Sequence, residues 1–140
     1  MEVSKMNRDE FAKAVLKKIN STELKEINKE EIMKNGGTCK NGIYFIYDEN
    51  ENILYVGMVS DKKTASLKAR FYDNGNSAHC NKYWFEKYAK FYRFYSFPKA
   101  SEAELELIER LMIYINNQPV YNDKDTSESA NDFEFILKKL

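Results

Sequence analysis

The chain reads as an α+β domain, a small sheet with helices packed around it. Residues 43–47 and 53–56 are β-branched and aromatic runs divided by a polar, turn-forming segment, which is a hairpin signal. Residues 91–97 form a further aromatic run, ended by Pro98 as a strand would be. Ser101 then opens a segment with apolar residues at helical spacing, and Ser101 with Glu104 makes a capping box.

In order along the chain, Phe11, Ala14, Val15 and Ile19 predict a first helix. Ser21-Thr22-Glu23-Leu24 offers caps for a second, which fades at Asn35-Gly36-Gly37. Residues 1–36 are read as an N-terminal helical extension and 37–125 as the main domain. In the hairpin, pairing Tyr47 with Asn52 leaves a four-residue loop and sets Tyr44 opposite Tyr55, both rings on one face. Residues 64–72 read as a short amphipathic helix with Leu67 and Phe71 inward, and residues 79–89 as a helix carrying Tyr83, Trp84 and Tyr88. The helix from Ser101 has the stripe Leu105, Ile108, Met112 and Ile115 and stops before Pro119. Residues 126–140 are read as a polar tail closing on a short helix with Phe133, Ile136, Leu137 and Leu140.

At 140 residues the chain has one-domain length. No apolar run approaches a membrane span, and the N-terminus lacks the continuous apolar core of a signal peptide. Cys39 and Cys80 are expected as reduced thiols of a cytoplasmic protein; with one histidine, a structural zinc site is not expected. The formal net charge is zero, yet residues 62–93 carry Lys62, Lys63, Lys68, Arg70, Lys82, Lys87, Lys90 and Arg93 against Asp73 and Glu86. Such a segment suits either a phosphate backbone or an ordinary solvated surface.

Glu109 is the most informative residue. One helical turn from Leu105, Met112 and Ile113, its carboxylate borders the apolar stripe, while Glu102 and Glu106 are expected to lean outward, with Glu106 beside Arg110. A carboxylate at an apolar border needs a cation, and Mg²⁺ typically takes only one or two carboxylates with waters and phosphate. The alternative is a boundary residue bent to solvent. Arg70, between inward Leu67 and Phe71, has the planar fork that binds phosphate, or else is a surface arginine. Tyr44 and Tyr55 by themselves suit packing roles. His79, the sole histidine, is a candidate proton carrier or phosphate ligand. Trp84, Tyr92 and Tyr95 are read as core rather than as a base-stacking platform.

The order of these residues adds to their separate weight. Gly42-Ile43-Tyr44, Tyr55-Val56-Gly57, Arg70, Glu109 and Pro119-Val120-Tyr121-Asn122 together resemble the GIY-YIG nuclease family over about residues 41–122. The resemblance implies a three-stranded antiparallel sheet flanked by helices, with the site on one sheet face. It implies that Tyr44 orients or deprotonates the attacking water, with Tyr55 assisting. Arg70 would stabilise the phosphate, Glu109 would ligate a single Mg²⁺ or Mn²⁺, and Asn122 would support the site. Gly42 and Gly57 would allow close approach of a helix or substrate. The implied activity is metal-dependent DNA cleavage by direct water attack, with Lys62, Lys63, Lys68 and Lys82 as candidate DNA contacts. Two departures stand out. Met58 and Val59 follow Gly57 where the family often has a hydroxyl or lysine, with Ser60 next. Asn74 occupies the place of a usual histidine or tyrosine, for which His79 or Tyr72 could substitute. The other reading is a nuclease-fold module that binds DNA or a protein without cutting. With little beyond the catalytic core for reading bases, DNA specificity would come from the N-terminal helices, a homodimer or a partner protein.

Overall fold

The structure is a computed structural model that describes residues 7–60, 66–73 and 77–122. Lys62, Lys63, Asn74 and the expected C-terminal helix lie outside the described residues.

Helix α1 (Arg8–Asn20) starts at Asn7, whose side chain accepts the Glu10 N–H, and buries Ala12, Val15 and Ile19. Strand β1 (Lys25–Glu26) and helix α2 (Lys29–Asn35) follow. Strands β2 (Gly42–Tyr47) and β3 (Ile53–Val59) form the hairpin. A π-helical turn (Ala69–Asp73), a 3₁₀ turn (His79–Asn81) and helix α3 (Tyr83–Tyr88) lead to strand β4 (Phe91–Ser96). Helix α4 (Glu102–Ile115) has the capping box from Ser101 and Glu104 that its sequence announces.

The architecture is α+β, with four antiparallel strands in the order β1-β4-β2-β3 rather than the three expected. The fourth is a two-residue, solvent-exposed edge, Lys25 opposite Tyr92 and Glu26 opposite Phe91. A strand so short and charged blunts an edge and leaves no periodic pattern to read. It also replaces part of the helix expected from Ser21. The Ser21 and Thr22 hydroxyls donate back to the Lys18 and Ile19 carbonyls at 2.6 Å, closing α1 instead of opening α2. The cap of α2 is Asn28.

Strand β2 is buried along its whole length because both sheet faces are covered. On one face Ile43, Phe45 and Tyr47 pack with Ala12, Val15 and Ile19 of α1 and with Ile108, Leu111 and Met112 of α4. On the other, Tyr44 and Ile46 pack with Ile32 of α2, Leu67, Phe71 and Phe85. Helices α1 and α2, read from sequence as an extension, thus contribute to both halves of the core.

The hairpin register differs from the expected one twice. Asp48 N–H donates to Asn52 O and Glu51 N–H to Asp48 O, both at 3.0 Å, so the loop is a residue shorter. Glu51 takes the positive φ of 63° that such a loop requires. Then Tyr47 pairs with Ile53 but Ile46 with Tyr55, which leaves Leu54 as a bulge. Each slip alone would turn Tyr55 to the opposite face; together they restore it. Tyr44 consequently lies opposite Gly57, with Tyr55 its diagonal neighbour on the same face.

Candidate functional site

Gly57 explains how Tyr44 reaches its place. A Cβ built on Gly57 would sit 2.2 Å from Tyr44 Cζ and 2.3 Å from its hydroxyl. The Tyr44 ring therefore lies flat across the backbone of edge strand β3, in space that only glycine leaves open. The protein group that approaches Gly57 is this ring. At Gly42 the close neighbours are the Tyr95 carbonyl, 2.2 Å from a built Cβ, and the Phe94 ring. Tyr55 stacks beside Tyr44 with centroids 6.1 Å apart, and the stack continues through Trp84 to Tyr121. Trp84 is half-buried rather than in the core, packed against it and propping the hairpin tyrosines.

His79 meets this assembly from the 3₁₀ turn. Its Nε2 lies 2.7 Å from the Tyr44 hydroxyl, and its ring is packed against Tyr55, Phe71, Trp84 and Phe85. The continuous helix expected over residues 79–89 is broken at Lys82, whose backbone is extended. That break separates the inward His79 from the exposed start of α3. Burial, then the positive charges of Arg70 and Lys82, bring the imidazole down to about 4. Neutral at pH 7, its Nε2 accepts the Tyr44 hydroxyl proton when the ring proton sits on Nδ1. Burial, then neighbouring Tyr55, hold the Tyr44 hydroxyl well above the ordinary phenol range, with Arg70 pulling the other way. Tyr72, the other substitute considered for position 74, is turned toward Phe71, Phe85 and the Lys29 ammonium. Of the two, His79 is the one that reaches Tyr44.

Arg70 is carried by the π-helical turn between fully buried Leu67 and Phe71. The turn is seated on the segment after α2. Leu67 N–H donates to the Cys39 carbonyl at 3.0 Å, and Gly36 lies against the Lys68 backbone. Arg70 Nε is buried and has no hydrogen-bond partner among the described residues. Glu109, at 5 % exposure, belongs to the buried side of α4 with Leu105, Ile108 and Met112.

Tyr44, Tyr55, Arg70 and Glu109 line one cleft of about 310 Å³, together with Met58, Ser60, Glu102, Glu106 and Arg110. Met58 packs with the α1–α4 side of the sheet, whereas Tyr44 and Tyr55 belong to the other. The cleft thus lies at the β3 edge, where the two faces meet, rather than on one face as the resemblance implied. Glu106 is exposed and Glu102 half-buried, and both line the cleft. Sequence reasoning missed them, with Arg110 and Ser60, as cleft residues. The signal was present: positions 102, 106, 109 and 110 fall on one side of a helix.

Asn122 lies outside the cleft, locked to the back of β3. Its Oδ1 accepts the Val56 N–H and its Nδ2 donates to the Val56 carbonyl, both at 2.9 Å. The Tyr121 N–H donates to the Leu54 carbonyl, so the segment after α4 satisfies the free edge of β3. Lys68 is half-buried and Lys82 exposed near His79, and neither lines the cleft. Lys90 pairs with Glu26 at 2.8 Å, and Arg93 donates to the Thr22 and Asn20 carbonyls. Lys90 and Arg93 of the basic segment thus make contacts within the fold.

Among the described residues, no three His, Cys, Asp or Glu side chains converge as a metal cage. The cleft's donors are carboxylate and hydroxyl oxygens, which suit a hard cation held by one carboxylate with water and phosphate. No helix among the described residues is long and apolar enough to cross a membrane. Comparisons with protein-family models, with curated proteins and with solved structures each found no match.

Proposed function

We propose that the chain is a divalent-metal-dependent DNA endonuclease of the GIY-YIG type. The observation that carries this reading is the cleft that Tyr44 lines with Tyr55, Arg70 and Glu109, the Tyr44 hydroxyl lying 2.7 Å from buried His79 Nε2. A buried phenol joined to a neutral imidazole is a proton path. Tyr44 accepts the proton of an attacking water as it passes its own to His79 Nε2. The depressed basicity of His79 comes in part from Arg70. A phosphate paired with Arg70 offsets that charge and raises the basicity of His79 when substrate is present. Arg70 also neutralises charge on the phosphoryl oxygens, and Tyr55 holds the Tyr44 ring in place. Glu109 would hold Mg²⁺ or Mn²⁺, which when bound supplies charge stabilisation at the leaving oxygen.

One observation favours a second reading, a module that binds DNA or a protein without cutting. Glu102 and Glu106 add negative charge to the cleft mouth, which opposes a phosphate backbone. Incubation with supercoiled plasmid, linear duplex and branched DNA in Mg²⁺ or Mn²⁺ separates the two. Endonuclease action predicts nicking of at least one substrate, with loss of about 10³-fold or more in Glu109→Ala. Binding that is equal in both proteins, with no product from either, would replace it by the second reading.

A further inference from the structure

Helix α3 gives the core one buried side chain, Phe85, and turns Tyr83 and Tyr88 outward. Tyr83 is 69 % exposed and Tyr88 44 %. Hydrophobic side chains scattered singly on a surface are ordinary, but these two rings are joined. The Lys87 ammonium lies 5.3 Å from the Tyr83 ring centroid and 5.5 Å from that of Tyr88, and it donates to the Tyr83 hydroxyl at 2.9 Å. One cation thus gathers two exposed tyrosines into a patch. Lys82, beside Tyr83 in the chain, is exposed as well. Glu86 is the one acidic residue of α3, so with Lys82 and Lys87 this surface carries net positive charge. Tyr83, Lys87 and Tyr88 take no part in the chemistry proposed above.

The patch adjoins the cleft. Tyr55, which lines the cleft, stacks on Trp84 with centroids 5.6 Å apart, and Trp84 follows Tyr83 directly. The Lys82 N–H donates to the His79 carbonyl at 2.8 Å, and His79 touches Tyr44. Helices α3 and α4 pack on opposite faces of the sheet, with the cleft at the edge between them. A strand whose phosphate pairs with Arg70 therefore meets Glu102 and Glu106, beside Arg110, on the α4 side. On the α3 side it meets Lys82 and Lys87. Charge favours a backbone path over α3. The open Tyr83 ring suits an unstacked base, because a duplex keeps its base faces inside its own stack.

We infer that the outer face of α3 binds single-stranded DNA, an unpaired flank of the strand in the cleft, with a base on Tyr83 and phosphates at Lys82 and Lys87. The inference rests on the reading of the cleft as a DNA site and names the form of DNA it takes; it does not rest on cutting.

Fluorescence anisotropy of a short fluorescein-labelled oligothymidine, in EDTA at low ionic strength, tests it on the full chain without cleavage. Tyr83→Ala should weaken binding roughly fivefold or more, the loss of one base–ring stack, whereas Tyr83→Phe keeps the ring and should stay within about twofold of the unaltered chain. Lys87→Ala should weaken binding more than Lys17→Ala, which removes the same charge from an exposed position of α1 on the opposite face of the sheet. Binding of a fully paired duplex should be indifferent to Tyr83→Ala. No binding of the oligothymidine, unchanged binding in Tyr83→Ala, equal losses in the two lysine variants, or the same Tyr83 dependence for duplex would overturn the inference. Nicking of plasmid with oligothymidine binding unaffected by Tyr83→Ala would remove this inference and keep the endonuclease. Tyr83-dependent binding without nicking of any substrate would do the reverse.

Discussion

Gly57 and Tyr44 are a matched pair, and the match is steric. Replacing Gly57 by Ala puts a methyl 2.2 Å from Tyr44 Cζ, and the alternative to backbone movement is expulsion of the ring from its place beside His79. We expect Gly57→Ala to destabilise the fold by about 2–3 kcal/mol in urea unfolding. In a Tyr44→Ala background the same change should cost less than about 1 kcal/mol, a coupling a double-mutant cycle reads directly. Additive effects would mean that the ring does not lie on the glycine. His79 makes a prediction in pH. Its folded-state value near 4 lies below the unfolded value of about 6.5, so the unfolded chain binds more protons between the two. Stability should therefore rise with pH from about 4 to 6.5, by on the order of 3 kcal/mol from this group, and fall on acidification through the same window. His79→Phe should flatten that slope in pH-dependent urea titrations. An unaltered slope would place the titrating group elsewhere. Of these residues, sequence alone gave Glu109 its own physical argument. The Tyr44–His79 contact was not legible, because it joins positions that only the pairing of β2 with the post-hairpin turns brings together.

At the scale of elements, legibility follows periodicity. Helix α4 was readable from its cap to its stripe because Ser101, Glu104, Leu105, Ile108 and Met112 all signal the same element. β2, β3 and β4 were readable from their aromatic and β-branched runs. Strand β1 was not, being two charged residues whose partner lies far along the chain. The hairpin register was missed because turn geometry and a bulge, not side-chain pattern, set it. The π-helical turn under Arg70 likewise depends on the seat provided by Gly36 and Cys39. Asn122 is the element-scale test. Asn122→Ala removes both partners of the Val56 backbone at the β3 edge. With Val56 fully buried, loss of about 2–4 kcal/mol is expected by urea unfolding. Tyr55, which precedes Val56 in β3, should show broadened NMR signals. A loss below about 0.5 kcal/mol would mean that the edge is satisfied without this side chain.

At the scale of the molecule, both faces of one small sheet are covered, and the candidate site sits at the edge where they meet. Neither face alone would bring a carboxylate on α4 and a tyrosine on β2 into one cleft. The formal charge of zero conceals a division that matters for any anionic substrate. Of the charged residues that line the cleft, Arg70 lies in the segment before β4, whereas Glu102, Glu106, Glu109 and Arg110 come from α4. Diffraction from crystals soaked in Mn²⁺, using the anomalous signal of the metal, tests whether the cleft holds a cation at Glu109. One peak is expected in the cleft, roughly 2.0–2.3 Å from a Glu109 carboxylate oxygen and facing Tyr44 and Arg70. Occupied sites elsewhere on the protein with none at Glu109 would contradict it.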